Sequence, residues 1–116
     1  MATYSKIPLS QSTNGKTVML STSSAPYTLI HTSVSAPSMD EIWIYASNIT
    51  AADSITTFYW GGSSTSDIVA QVNIQAYAGL TLVIPGLILN NENTVYAFTQ
   101  FPSAVDITGY VNRISA

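Results

Sequence analysis

Short runs of β-branched, aliphatic and aromatic residues recur along this 116-residue chain, and clusters of Ser, Asn, Asp, Gly and Pro separate them. Strand signals repeated at roughly 8–12 residues mark a sandwich or barrel. No window sustains a 3.6-residue apolar period, because Ser, Thr, Val and Ile interrupt each one. The strand segments are 4–9, 16–21, 27–32, 41–48, 54–60, 67–74, 80–84, 94–101 and 105–114. The expected fold is all-β: a single β-sandwich or jelly-roll-like domain over residues 1–116, with eight or nine strands and almost no helix.

The segments differ in what their two faces bury. Ile68, Ala70, Val72 and Ile74 alternate with Val69, Gln71 and Asn73, so one face is apolar and the other largely polar. Ile42-Trp43-Ile44-Tyr45 is apolar on both faces, which suits a central strand covered on both sides, with Trp43 expected in the core. Val95, Ala97, Thr99 and Phe101 alternate with Tyr96, Phe98 and Gln100, another two-sided strand. Asn14-Gly15 signals a tight turn, since both residues accept positive φ at low cost. Pro85 cannot donate to a ladder and predicts an edge, a bulge or a sheet corner.

Charge is scarce. Asp, Glu, Lys and Arg make up 8% of the chain, against about 25% in soluble proteins, while Ser and Thr supply about a quarter. A surface so poor in charge is wetted by hydroxyls and amides or hidden against partners, which points to a component of an assembly. The basic residues are Lys6, Lys16 and Arg113, and the net charge is −3, so nucleic acid is not an expected partner. Without cysteine, disulfides, thiolate nucleophiles and Cys-based metal sites are excluded. Neither a secretory signal nor a membrane-spanning run is read in the chain, and it is expected to fold in a cytoplasm.

No catalytic constellation emerges, and the chain is not expected to be an enzyme or to hold a cofactor or metal. His31 is the sole histidine and the six carboxylates are scattered, so His31 reads as a strand-end residue without catalytic work. Asp40 and Glu41 point to opposite faces of one strand, so they read as a solvated pair at its start. Asn48-Ile49-Thr50 matches a glycosylation acceptor by a pattern too short to carry weight. Phe58-Tyr59-Trp60 runs into Gly61-Gly62, placing a large ring beside a loop where it could anchor a subunit or stack on a sugar. Past Pro85 the segment stays apolar through Leu89, which fits an intersubunit surface as well as a core, so Tyr59, Trp60, Leu87, Ile88 and Leu89 are the candidate interface residues.

The blocks Asp40-Glu41-Ile42-Trp43-Ile44-Tyr45-Ala46-Ser47-Asn48, Val83-Ile84-Pro85-Gly86-Leu87-Ile88-Leu89-Asn90-Asn91 and Gly109-Tyr110-Val111-Asn112-Arg113-Ile114 resemble small all-β virion proteins of tailed bacteriophages. Lys6-Ile7-Pro8-Leu9 and Asn14-Gly15-Lys16 are also similar. The resemblance implies a capsid cement or decoration protein that clamps neighbouring major capsid proteins, with a homotrimer as the favoured oligomer. It also admits a neck or tail accessory protein. Location in a virion assembled in a bacterial cytoplasm goes with either. A carbohydrate-binding, receptor-type sandwich using Tyr59 and Trp60 is the alternative. The resemblance transfers no catalytic or metal-binding residue.

Overall fold

The computed structural model describes residues 2–116. Nine strands form: β1 (Thr3–Pro8), β2 (Val18–Met19), β3 (Thr28–Thr32), β4 (Met39–Asn48), β5 (Ser54–Trp60), β6 (Ile68–Ile74), β7 (Thr81–Leu89), β8 (Thr94–Thr99) and β9 (Val105–Ser115). Among the described residues the one helical turn is a 3-10 turn at Thr65–Asp67. All pairings are antiparallel. One sheet runs β1-β9-β4-β7 with β2 also on β9, and the other runs β3-β8-β5-β6. Apart from the β5–β6 hairpin, the chain from β3 onward changes sheet at every connection, the interleaved double Greek key of a jelly roll.

The first edge of this fold is one strand in two pieces. β1 pairs with residues 110–115 of β9 and β2 with residues 106–107, while β4 occupies the opposite edge of β9. The loop between the pieces contains the expected turn: Lys16 N–H donates to Thr13 O at 3.1 Å, with Asn14 and Gly15 at φ +56° and +86°. Leu9 and Leu20, just beyond each piece, are fully buried.

Alternation selects the core. Ile42, Ile44 and Ala46 of β4 and Ile107 and Val111 of β9 face Ile30, Phe58, Ile74, Val95 and Ala97 of the other sheet, all at most 1% exposed. Burying each such aliphatic side chain contributes roughly 1.5–3 kcal/mol. At one end hydroxyls replace methyls: Thr99 Oγ1 lies 2.6 Å from Ser54 Oγ and 3.0 Å from Thr56 Oγ1, so the buried oxygens satisfy one another. Asn48 is also buried; its amide donates to Ala52 O and Ile74 O and accepts from Thr50 N–H and Oγ1. The acceptor pattern at Asn48 is thus a structural knot closed to modification.

Trp43 departs from the expectation. Ile42 and Ile44 take the inward positions of β4, and Trp43 stands half-buried on the outer face. Trp60 is also half-buried, but it packs against the core. The roles expected of the two indoles are exchanged, because β5 keeps Phe58 and Trp60 on its inner side.

Candidate assembly surface

The accessible surface is 5946 Å², close to the roughly 6,100 Å² expected for a monomer of this mass. The scarcity of charge is therefore not offset by unusual compactness, and apolar and hydroxyl groups face solvent. Their distribution is uneven.

The two edge strands β6 and β7 lie side by side on one flank of the sandwich. From Ile68 through Asn91 there is no charged residue, so neither edge carries the lysine or carboxylate that commonly blocks strand addition. Along this stretch Leu80 is 67% exposed and Ile88 48%, with Val69, Tyr77, Leu82 and Leu87 also open to solvent. β7 departs from a plain ladder twice. Its register against β4 shifts between Ile42 and Trp43, where Gly86 is the extra residue, and between Ile44 and Tyr45, where Val83 is. The Gly86 insertion reverses side-chain parity, so that Ile84 and Leu89 both point inward although an odd number of bonds separates them. Gly86 has φ +78° and lies against the Trp43 indole, where a side chain would collide.

The outer face of the five-stranded sheet is built in cross-strand rows. Tyr4, Ile114 and Met39 form one row; Lys6, Asn112, Glu41 and Ile88 the next; Pro8, Tyr110, Trp43 and Pro85 the third. In the third, Trp43 and Tyr110 stack with ring centroids 6.0 Å apart and planes 11° apart, and Lys6 Nζ lies 5.0 Å from the Tyr110 centroid. Glu41 Oε1 accepts from Trp43 Nε1 at 2.8 Å and from Asn112 Nδ2 at 3.0 Å. Those two donors hold the carboxyl of Glu41 below its ordinary value.

Of the residues singled out from sequence, Leu87 and Ile88 are exposed on the uncharged flank and Leu89 points into the core at 9% exposure. Tyr59 is 4% exposed because Tyr27 covers it, ring on ring at 4.7 Å, and Tyr27 also stacks on Phe98 at 4.8 Å. Burial, with Tyr27 beside it, pushes the Tyr59 phenol up to about 12. Tyr59 and Trp60 therefore do not form an open platform.

The buried histidine belongs to a network invisible in the linear sequence. His31 of β3 and Asp40 of β4 are both 0% exposed. His31 Nε2 lies 2.8 Å from Asp40 Oδ2, and Arg113 of β9 reaches the same carboxylate through Nε at 2.8 Å and a second guanidinium nitrogen at 3.0 Å. Val34 N–H adds a bond to Asp40 Oδ2 at 3.2 Å. Asp40 is not the solvated residue its place at the start of a strand suggests, whereas Glu41 does take the opposite, outer face. Desolvation would raise Asp40, but the hydrogen bonds from Arg113 and His31 outweigh it and hold the carboxyl below its usual range. Ser10 offers His31 its backbone N–H, and its hydroxyl accepts from Thr32 N–H. With His31 and Asp40 closed to solvent and both His31 ring nitrogens and both Asp40 oxygens engaged, the group ties the two sheets together. No cluster of three potential metal ligands occurs among the described residues.

Comparison with family models, curated proteins and solved structures finds no match for this chain.

Proposed function

We propose that this protein is a structural component of a tailed-phage virion, a capsid cement protein that joins neighbouring major capsid proteins without enzymatic activity. The observation that carries this reading is the uncharged flank of β6 and β7, with exposed Leu80, Leu82, Leu87 and Ile88. An apolar edge of that kind is an aggregation hazard in a free monomer and an asset in a protein that works while covered. The sequence resemblance to small virion proteins supports the same role and supplies the trimer as the oligomer. In a trimer each weak subunit contact with the shell is reinforced by its neighbours through effective concentration, so modest interfaces sum to a firm restraint.

Particles assembled with and without the protein test the role. Shells lacking it form but release their genome at lower temperature or under osmotic shock, and added protein restores resistance. Equal heat resistance with and without it would remove the cement role and move the protein to the neck or tail.

A further inference from the structure

Toward its β1 edge, the outer face of the five-stranded sheet carries a groove of different character. The Lys6, Asn112 and Glu41 row forms a polar floor, and Tyr4 and Ile114 form a wall on one side. The resulting depression holds about 370 Å³. Beyond Lys6, a second depression of about 470 Å³ lies against Pro8, Gly109 and Tyr110. Lys6 borders both.

We infer that this groove binds a neutral oligosaccharide through the Tyr4 ring, the Glu41 carboxylate, the Asn112 amide and the Lys6 ammonium. The Tyr4 side chain is 75% exposed at the groove wall, and its ring offers a face to the C–H side of a sugar. Both donors to Glu41 fall on Oε1, which fixes the carboxylate and leaves Oε2 open as an acceptor. The Asn112 amide donates to Glu41 through Nδ2, and its oxygen is a further acceptor among the lining groups. Neither Lys6 nor Glu41 forms an ion pair among the described residues. Lys6 supplies donors, Glu41 acceptors, and their charges cancel over the groove. A polyol needs both kinds of partner and brings no charge, whereas an anion would meet Glu41 and a cation Lys6. The Trp43 and Tyr110 faces are occupied by each other, by Gly86 and by Lys6, so they brace the floor and do not stack on the ligand. This site does not depend on the cement reading.

Titration of the isolated protein with maltotriose, lactose and mannobiose, followed by amide and indole NMR, tests it. At least one of these sugars saturably shifts Tyr4, Lys6, Asn112 and the Trp43 indole at millimolar concentration, and the Trp60 indole stays in place. Tyr4→Ala and Glu41→Gln, both at solvent-facing positions, each weaken binding about tenfold or more while leaving the remaining spectrum folded. Absence of shifts with all three sugars, or shifts that both variants retain, would overturn the site. Tighter binding of a trigalacturonate than of any neutral sugar would overturn the ligand class.

Discussion

The Ser10 amide donates to His31 Nδ1 at 2.9 Å, and this bond fixes the state of the imidazole. An amide N–H cannot accept, so Nδ1 is unprotonated and Nε2 carries the hydrogen given to Asp40. Burial lowers the His31 pKa below 6.5; the hydrogen bond and charge of Asp40 pull the other way, and the Arg113 charge adds to the lowering.

Stability accordingly falls on acidification in two stages. Below about pH 6.5 the unfolded chain takes a proton on His31 that the native chain refuses, so unfolding is favoured progressively until the lowered folded value is reached. Asp40, held below 3.8 in the folded chain, adds a second loss as the pH falls through that range. Thermal melts between pH 8 and pH 3 should show both, and His31→Gln should remove the first while keeping the second.

Asp40→Ala should be among the most damaging single changes, because it strands the His31 Nε2–H and the Arg113 guanidinium together. Breaking a buried pair costs roughly 3–5 kcal/mol; the Arg113 side chain is 29% exposed and can turn toward water, which places the loss at about 3 kcal/mol. Urea titration measures it, and an effect below about 1 kcal/mol would contradict the network's role.

The two faces of β4 and β5 predict unequal aromatic substitutions. Trp43→Ala removes a surface stack and one bond to Glu41 and should cost about 1–2 kcal/mol with the fold retained. Phe58→Ala empties a fully buried site and should cost about 3–5 kcal/mol. Gly109→Ala should be disruptive despite its size, because a methyl there would overlap the Trp43 carbonyl oxygen across the β4–β9 pair. Denaturation midpoints ranked in any other order would refute this division.

On the uncharged flank, Leu82→Lys and Ile88→Lys should leave the monomer fold intact, since both side chains are already about half exposed. Each should raise the dissociation constant of the proposed oligomer by about tenfold or more, by forcing an ammonium into an apolar contact. Sedimentation velocity reads the change; unaltered association would place the interface elsewhere.

The strand pattern was readable because turn chemistry and alternation are local. Asn14-Gly15 and Pro85 each announced the backbone they adopt. The mistaken side for Trp43 has an equally local cause: in Ile42-Trp43-Ile44-Tyr45 both faces are apolar, and period two separates the faces without saying which one is inside. The His31, Asp40 and Arg113 group was illegible, since Arg113 reaches Asp40 across 73 positions through the β4–β9 pairing. Lone His31 and the Asp40-Glu41 pair gave no sign of a shared partner. The Lys6, Asn112 and Glu41 row likewise exists only once β1, β9 and β4 are in register.

The irregular β7 edge bears on how far growth can proceed. A straight uncharged edge accepts the same strand from copy after copy and builds fibres without end. Here Val83 and Gly86 interrupt the ladder and Pro85 has no amide hydrogen to give, so an incoming strand meets short segments that differ in which way their side chains lean. Such an edge favours contacts that close on themselves after a few copies over open-ended polymerisation, and lets a sticky flank be kept at high concentration without fibres.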